Sequence, residues 1–432
     1  MHAKTAVSVA IALMGLGGAL AAQAQSKVEM WGIVDAAIRH TTNEGAGKDG
    51  LTKMIGGGMS QSRWGLNIEE DLGGGSKALA HMEHRFNTDT GEKDATAPFF
   101  QLSYVGLQGP YGRLTMGRQW NVLFDVVTST YSSFPYSPYM DAYKPELGMA
   151  AGARNSNALK YTLATPSRNW VGTLQYSFAE GNKTTSAENA AVALGSTAGV
   201  AALPLGTSVP LINNMLTNAG NGAPLGPLQT SYNSLVSAVN GVATGAYKTA
   251  GGFLRYSENG ISLGGGFLRT YLPGGTNLDA WTAGGSYRSG PLYVNMGYGL
   301  NKIKSEKFSG STTADYLRYL ARQQVDLGIV GNMWSGQTNG GFQPGDADKR
   351  QMIKVGFGYQ ITPQINAGLH YFHAKQSGSA TGNSNGKANF IVAVADYAFS
   401  KRTDAYFGVD NTRISGSSAV VIDKASQARS RT

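Results

Sequence analysis

The sequence of 432 residues contains no cysteine, which excludes disulfide bridges and thiolate metal sites. Beyond Leu20, no stretch approaches the roughly 18 uninterrupted apolar residues that a membrane-spanning helix needs. Charged residues make up only 15% of the chain and form no run of one sign, so a nucleic-acid-binding tail is not expected. What remains is a chain built mostly from short segments of alternating polarity.

The N-terminus carries the features of an export signal. Lys4 supplies a basic start, residues 6–20 an apolar run, and Ala22-Gln23-Ala24 a cleavage site of the A-x-A type. We therefore predict a signal peptide over 1–24 and a mature chain that begins near Gln25. Removal of the signal leaves a net charge of +8, spread over strand faces and loops. Such a distribution favours a cavity that attracts anions over a surface that binds nucleic acid.

The mature chain alternates between polar and apolar residues in segments of about ten residues. In the segment 169–178 one face carries Gly172, Leu174, Tyr176 and Phe178, and the segment 365–371 repeats this pattern. A period of two places successive side chains on opposite faces of a β-strand. In an exported protein, an apolar face opposite a polar face predicts an all-β, transmembrane, up-and-down antiparallel barrel with lipid outside and water inside.

Tight turns alternate with long connections, as in a barrel with short periplasmic turns and long outer loops. Asn259-Gly260 is the strongest turn signal, because a type I′ turn needs positive φ at both positions. The segments between turns predict fifteen strands, near 27–40, 59–70, 76–88, 98–108, 112–119, 153–163, 169–180, 248–257, 261–272, 278–288, 291–305, 348–361, 364–376, 387–399 and 404–415.

No linker interrupts this pattern, so we expect one barrel domain over 25–432. Residues 182–247 are rich in Ala, Gly, Asn, Ser and Leu and poor in charge, which predicts a long, partly mobile outer loop. Residues 41–58 are expected to form a shorter loop. In contrast, residues 312–330 have a helical spacing of apolar residues after Thr312, and this indicates a short surface helix.

Several short motifs are spread over nearly the whole mature chain. They are Val34-Asp35-Ala36, Ser62-Arg63-Trp64-Gly65-Leu66, Glu70-Asp71-Leu72-Gly73-Gly74-Gly75, Tyr104-Val105-Gly106-Leu107, Gly117-Arg118-Gln119, Arg154-Asn155-Ser156-Asn157 and Ser400-Lys401-Arg402-Thr403. Each is weak alone, but together and in this order they resemble the motifs of general-diffusion porins of Gram-negative outer membranes, in particular the sixteen-stranded trimeric porins of β-proteobacteria.

The resemblance implies a homotrimer of barrels in the outer-membrane lipid, each barrel with its own pore. It also implies that the third outer loop, here 120–152, folds into the barrel and narrows it, with basic residues of the wall facing acidic residues of the loop. Carried over by motif, the basic wall includes Arg63, Arg118 and Arg154. The alternative for each arginine is a solvated or salt-bridged surface residue.

Two further basic residues are candidates for the same wall. Lys160 shares a strand face with Arg154 by parity. Where the family often carries another wall arginine this chain has Gln101, and Arg85 on the neighbouring strand can replace that charge, on a face that it shares with Glu83. The acidic candidates are Glu83 on the wall and Asp125, Asp141 and Glu146 in the 120–152 loop.

We predict an outer-membrane porin: a water-filled channel for passive diffusion of small hydrophilic solutes and inorganic ions, with a preference for anions. The alternative is a channel of the same fold that is specific for one anionic solute. An enzyme is not expected, because the six histidines lie on strands or in the signal without a nucleophile and base beside them. No cofactor and no metal site is expected, and no nucleic-acid partner.

The end of the chain departs from the family pattern. Fifteen strands are an odd number, whereas a barrel with both termini in the periplasm needs an even one. Resembling porins end in a short amphipathic strand with a terminal aromatic residue, but residues 425–432 are polar and lack an aromatic side chain. From the sequence we expect that about ten residues, which would form the sixteenth strand, are absent from this chain.

Overall fold

A computed structural model describes residues 27–44, 49–94, 98–132, 153–180, 184–220, 223–242, 247–335, 348–378 and 385–416. The predicted signal peptide, the acids Asp141 and Glu146 and the end of the chain after Gly416 lie outside these residues. The strands are β1 (Lys27–Ile33), β2 (Ala36–Glu44), β3 (Asp49–Gly56), β4 (Arg63–Gly73), β5 (Ser76–Arg85), β6 (Leu102–Gly109), β7 (Gly112–Trp120), β8 (Arg154–Ala164), β9 (Trp170–Ser177), β10 (Lys248–Glu258), β11 (Ile261–Tyr271), β12 (Asn277–Ser289), β13 (Leu292–Lys304), β14 (Lys349–Gln360), β15 (Ile365–Ser377), β16 (Gly386–Ala398) and β17 (Asp404–Gly416).

Fifteen strands form one antiparallel sheet in which neighbours in space are neighbours in the chain, in the order β1, β4, β5 and so on to β17. The hairpin β2–β3 forms a small second sheet. The predicted turn at Asn259-Gly260 joins β10 to β11, with φ values of 49° and 80°. Its two positive φ values agree with the type I′ geometry that the dipeptide predicted.

The first hairpin differs from the prediction. Two continuous strands at 27–40 and 59–70, joined by a loop at 41–58, were expected. Instead, the first strand is interrupted between Ile33 and Ala36, the second begins at Arg63, and the expected loop contains all of β3 and the end of β2. Asp35 explains the interruption. Its carboxylate accepts hydrogen bonds from the backbone N–H groups of Gly58, Met59 and Ser60, at 3.0, 3.0 and 2.7 Å. These N–H groups are therefore unavailable for a strand ladder, and the chain bends here.

The two faces of the large sheet differ in chemistry. The outer face carries exposed apolar and aromatic side chains at every second position, for example Trp281, Met296 and Phe407, which are 52%, 62% and 71% exposed. The inner face carries polar and charged residues that are buried, such as Asn295 and Lys354. This distribution confirms the predicted barrel wall with an apolar outside and a polar inside.

The two ends of the large sheet approach each other. Tyr406 of β17 donates a hydrogen bond from its hydroxyl to Asp35 at 2.7 Å, and Arg39 of β2 lies 3.8 Å from Asp410 of β17. The last strand of the large sheet thus contacts the bend at Asp35 and the hairpin β2–β3, which follow the first strand in the chain, and this is consistent with a sheet that curves round into a barrel. Among the described residues this contact runs through side chains, since β1 pairs only with β4 and β17 only with β16.

Within the described residues, five α-helices lie between strands: α1 (Val122–Thr130), α2 (Thr185–Thr197), α3 (Leu205–Gly220), α4 (Gln229–Asn240) and α5 (Thr313–Ser335). A short 3-10 helix (Gly226–Leu228) precedes α4. The connection 182–247, predicted as a long outer loop, lies between β9 and β10 and contains α2, α3 and α4, which the sequence analysis did not predict. The helix predicted at 312–330 is confirmed as α5. Among the described residues, no helix is both long enough and apolar enough to cross a membrane.

Helices α2 to α5 pack together over the inner face, at the end of the sheet that carries the long connections. Leu194 of α2 and Leu317 of α5 are buried in one apolar cluster, which also includes Phe372 of β15 and Phe390 of β16. The cluster includes inward side chains of the strands themselves. The helices therefore cover part of the outer opening of the barrel.

Candidate functional site

Three arginines and one glutamate come together on the inner face, on strands β4, β5 and β8. Arg63 lies directly across from Arg85 in the β4–β5 register. The carboxylate of Glu83 lies between them: Arg85 Nε donates to its Oε1 at 3.0 Å, and Arg63 Nε is 3.8 Å from its Oε2. Glu83 and Arg85 are each 4% exposed. One carboxylate thus compensates two guanidinium groups only in part.

Arg154 of β8 completes this group through an aromatic ring. Its guanidinium carbon is 3.6 Å from the ring centroid of Trp120, and Arg85 approaches the same ring at 5.8 Å. Trp120 also stacks on Phe124 of α1, with ring centroids 3.7 Å apart. A ring face attracts a cation without neutralising it. The group Arg63, Arg85, Arg154 and Glu83 therefore keeps a positive surplus, and we call it the arginine cluster.

Lys160 and Asp125, both predicted for the constriction, pair with each other. The Lys160 ammonium forms an ion pair with Asp125 of α1 and donates to the carbonyl of Trp120 at 3.0 Å. The two charges compensate locally, and the pair fastens α1 to β8. Asp125 therefore lies opposite a lysine and not opposite the arginine cluster.

Arg118 has partners of its own beside the cluster. Its Nε donates to the carbonyl of Gln101 at 3.2 Å, and Nη1 donates to Ser156 Oγ at 2.9 Å. The structure thus gives Gln101 a role that the sequence did not indicate, because its backbone orients this guanidinium. The fold brings three of the predicted basic residues together, namely Arg63, Arg85 and Arg154. The other two have separate partners: Arg118 bonds Gln101 and Ser156, and Lys160 pairs with Asp125.

Helix α1 begins after an N-cap residue, Asn121, of a type that is common at helix N-termini. The Asn121 side chain accepts a hydrogen bond from the Phe124 N–H at 2.8 Å, which is the usual cap of a helix N-terminus. Val122 and Val126 are fully buried against the wall. The Val122 N–H donates to Gln175 Oε1 of β9 at 3.0 Å, so the wall also holds the first turn.

Glycines on the inner face let this segment approach the wall closely. A Cβ at Gly264 would lie 2.8 Å from the side chains of Val126 and Thr130, and one at Gly284 would lie 2.7 Å from the ring of Tyr131. Tyr131 also hydrogen-bonds Thr282. Residues 121–132 therefore lie inside the barrel, as expected for the start of the 120–152 loop.

Sequence reasoning missed two basic residues of the inner face of β14. Arg350 is 2% exposed and Lys354 is fully buried, with its ammonium 5.2 Å from the ring centroid of Tyr131. The signal was present, because both residues alternate with the outward Ile353 and Val355. Arg350 Nε donates to Gln376 Oε1 at 3.3 Å.

Comparisons with known proteins agree with this architecture. The family model of Gram-negative porins matches residues 6–417. An outer membrane porin protein of Bordetella pertussis is 32% identical over 204 residues, covering 43% of this chain and 51% of that protein. Outer membrane porin protein 32 of Delftia acidovorans is 34% identical over 156 residues, covering 35% of this chain and 44% of that protein. The chain thus spans about half the length of the curated relatives that it matches.

Solved porin structures share the fold. An anion-selective porin from Comamonas acidovorans has a TM-score of 0.58 at 20% identity, over 90% of both chains. The trimer form of OmpT from Vibrio cholerae has a TM-score of 0.52 at 12% identity, over 90% of this chain and 89% of that one. The family match, which extends over nearly the whole chain, places the protein in the outer membrane as a β-barrel. The chain belongs to the family of Gram-negative porins.

Proposed function

We propose that the chain forms a water-filled pore for passive diffusion of small hydrophilic solutes and inorganic ions, with a preference for anions. The observation that carries this proposal is the arginine cluster, in which three arginines share one carboxylate on the inner wall. A permeating ion that passes the cluster meets a positive surplus. An anion is attracted there, and a cation is repelled.

The size of the effect depends on distance and on salt. Two unit charges about 4 Å apart interact by roughly 4 kcal/mol at an effective dielectric constant of 20, a value suited to the edge of a protein. At an ionic strength of 0.1 M the screening length is about 10 Å, so a narrow passage is needed for strong selection. Residues 121–132 supply bulk on the inner face beside the cluster, and we assign the narrowing of the pore to the 120–152 loop.

The remaining assignments follow from the same architecture. We propose a homotrimer in the outer-membrane lipid, which is supported by the trimeric porin among the structural neighbours. We also propose that the protein has no enzymatic activity and acts only by lowering the barrier to diffusion. Arg118, Arg350 and Lys354 add positive charge near the path, while Lys160 and Asp125 serve mainly to hold α1.

A channel specific for one anionic solute is the second candidate. The aromatic support of Arg154 by Trp120 favours it, because a guanidinium fixed on a ring presents its planar fork to a carboxylate or phosphate in one orientation. Conductance that is blocked in a saturable manner by one organic anion would favour this candidate. Conductance that rises in proportion to concentration for all small anions favours the general pore.

The proposal is tested by the reversal potential of single channels in a planar bilayer that separates two KCl concentrations. The wild type is expected to show the anion-selective sign. In Arg154→Gln with Arg85→Gln, the ratio of anion to cation permeability should fall towards unity, because two of three charges of the cluster are gone. Arg402→Gln, in the turn between β16 and β17, is the matched control and should leave the ratio unchanged. A cation-selective wild type, or equal effects of both changes, would contradict the proposal.

A further inference from the structure

One carboxylate on the inner wall is buried without a compensating group. Asp396 of β16 is 2% exposed, and neither oxygen of its carboxylate has a hydrogen-bond partner among the described residues. No basic side chain in the described part of the chain forms an ion pair with it. An ionised carboxylate is costly to bury unless another group compensates its charge. The proposed pore does not use this residue, so its burial requires a separate explanation.

Asp396 lies at the end of the barrel that carries the short turns. On β16 it alternates with outward residues such as Tyr397, which is 44% exposed, and its side chain therefore points inwards. The strand ends two residues later, at Ala398, and the turn to β17 follows. Short turns lie on the periplasmic side of barrels of this kind. The residue thus belongs to the periplasmic mouth of the pore.

Two further side chains with oxygen ligands share this part of the inner face. Asn366 of β15 lies directly across from Asp396, is only 9% exposed, and its Oδ1 has no hydrogen-bond partner among the described residues. Asp404 of β17 is a diagonal neighbour, because Asp396 pairs with Tyr406 two residues further on. The carboxylates of Asp396 and Asp404 are close enough to repel each other. We call Asn366, Asp396 and Asp404 the oxygen cluster.

Neighbouring groups do not relieve the charge of the oxygen cluster. The hydroxyl of Tyr406, directly across from Asp396, donates to Asp35 Oδ1 at 2.7 Å. Lys401 and Arg402 are exposed in the adjacent turn, and within the described residues neither forms an ion pair with the cluster. The protein therefore places two carboxylates side by side and provides no cation of its own for them.

A proton shared by the two acids, or a metal cation, would relieve this charge. A shared proton satisfies one oxygen of each carboxylate, but it leaves the second oxygen of Asp396 and the Oδ1 of Asn366 without a partner. A cation accepts all of these oxygens as ligands at once. Carboxylates and amide carbonyls are the groups with which proteins bind calcium, and water fills the remaining positions. The unpartnered amide oxygen of Asn366 therefore favours the cation.

We propose that the oxygen cluster binds a calcium ion at the periplasmic mouth of the barrel. The two carboxylates balance both charges of the ion, and Asn366 supplies a third oxygen. Asp404 is exposed, so water reaches the remaining positions of the shell. Among the described residues, no three His, Cys, Asp or Glu side chains form a metal site, and here an amide replaces the third acid. The sequence analysis did not expect this site, because its ligands come from three separate strands.

The bound ion would hold β15, β16 and β17 together beside the contact between Tyr406 and Asp35. It would also cancel negative charge at one mouth of the pore. The inference uses only the geometry of the wall and is independent of which ions the pore prefers. A channel without anion preference would therefore leave the calcium site untouched.

The test measures calcium binding by the full chain, refolded in a non-ionic detergent without lipid so that no lipid phosphate carries calcium. Equilibrium dialysis with radioactive calcium gives the affinity, and thermal unfolding in EDTA or in CaCl2 gives the stabilisation. We expect a dissociation constant on the order of 10⁻⁴ to 10⁻³ M and a midpoint that rises with calcium concentration. Magnesium should raise the midpoint less, because it demands near-ideal octahedral geometry and gives up its water reluctantly.

Two variants at the cluster should change in opposite directions. Asp396→Asn keeps the shape of the side chain but removes one carboxylate, so affinity for calcium should fall by about tenfold or more. In EDTA its midpoint should equal or exceed that of the wild type, because the repulsion with Asp404 is gone. Asn366→Asp adds a third carboxylate, so it should bind calcium more tightly and unfold at a lower temperature in EDTA. Misfolding alone would not produce this pair of opposite changes.

Glu70→Gln is the matched control. It removes an exposed carboxylate at the same end of the barrel, on the outward face of β4, and should bind calcium as the wild type does. Wild-type affinity in Asp396→Asn, or no calcium binding by the wild type at concentrations up to about 10 mM, would overturn the proposal. A midpoint that depends on pH but not on calcium would assign a shared proton to the cluster and would overturn it equally.

Discussion

Trp120 shows how a single residue can set the electrostatics of a pore wall. Its ring lies between the guanidinium of Arg154 and the ring of Phe124, so it joins the wall to α1. A carboxylate in the same place would hold Arg154 equally well but would cancel its charge. The aromatic ring orients the guanidinium without cancelling its charge. Asp125 meets Lys160 instead, so the acid of α1 is compensated locally and leaves the surplus of the cluster intact.

At the same scale, Gly297 controls how closely the loop approaches the wall. The three heavy atoms nearest to a Cβ on this residue all belong to the ring of Tyr131, the closest at 2.4 Å. We expect Gly297→Ala to displace Tyr131 and the end of α1, at a cost of about 1–3 kcal/mol for overpacking, and to change single-channel conductance. Conductance should fall, because the added Cβ pushes the ring of Tyr131 away from the wall and into the lumen.

Gly172→Ala is the matched control for this substitution. A Cβ on Gly172 meets its nearest neighbour at 3.7 Å, an ordinary van der Waals distance, on an outward position of β9. Its conductance should equal that of the wild type. If Gly297→Ala and Gly172→Ala conduct alike in folded channels, Tyr131 does not hold the loop in the position described.

At the scale of elements, the strands were predictable and the helices of the long connection were not. Alternation of polar and apolar residues identifies a strand from its own sequence, because one face of the wall contacts lipid and the other does not. In α2 the buried positions are Ala187, Ala191 and Leu194, a helical spacing of small residues. Small residues give little difference in hydrophobicity between the two faces of a helix, so α2 becomes recognisable only through its packing against α5. The bend at Asp35 was equally invisible, since it depends on three N–H groups that lie more than twenty residues further along the chain.

The candidate site could be predicted only in part for a similar reason. Motifs and parity correctly put Arg63, Arg85 and Arg154 on one face. They could not reveal that Glu83 lies between two of them, or that Lys160 takes Asp125 as its partner. Such pairings depend on the register between strands and on the position at which a helix packs against the sheet. Neither can be derived from the sequence of a single segment.

Helix α5 is fastened to the wall by a buried acid. The carboxylate of Asp326 accepts from the backbone N–H groups of Gly274 and Thr276, in the connection between β11 and β12, at 2.7 and 2.9 Å. Burial raises the pKa of Asp326 above its usual value, even though these hydrogen bonds lower it. A raised pKa means that the docked helix favours the protonated acid. Docking is therefore strongest below a pH of about 4, the ordinary value for an aspartate, and weakens as the pH rises through the raised pKa.

Hydrogen exchange of the α5 amides, corrected for intrinsic rates, measures this dependence. Protection should decrease from pH 4 to pH 7 in the wild type and should be independent of pH in Asp326→Asn. Asp315 is the matched control on the same helix: hydrogen bonds from Thr312 hold its pKa below the usual value. The contribution of Asp315 to helix stability therefore has the opposite pH dependence: it is present above pH 4 and is lost as the pH falls. Asp315→Asn should therefore retain the pH dependence that Asp326 causes, and a flat wild-type profile would contradict the assignment.

At the scale of the whole molecule, the closure of the barrel is the feature that is hardest to predict from local sequence patterns. In the described residues the large sheet begins with β1 and ends with β17, and the two run in the same direction because fifteen strands alternate. Every other neighbouring pair is joined by a ladder of backbone hydrogen bonds. This junction is held by Tyr406 with Asp35 and by Arg39 with Asp410. Among the described residues no backbone ladder joins β1 to β17, so we expect a side-chain contact at this junction to matter more than one between two strands that a ladder already joins.

The last prediction follows from this junction. The Tyr406 hydroxyl donates to Asp35 Oδ1 at 2.7 Å and accepts from the Met59 N–H at 3.1 Å. Tyr406→Phe removes both bonds, and loss of a hydrogen bond to a charged group destabilises by roughly 1.5–3 kcal/mol. Tyr371→Phe is the control, because it removes a hydroxyl that donates to Asn389 at 2.7 Å between two strands already joined by a ladder. The thermal midpoint of the folded barrel in detergent should fall by several degrees in Tyr406→Phe and by clearly less in Tyr371→Phe. Equal midpoints would mean that the junction carries no special share of the stability, and that the barrel is held closed by other contacts.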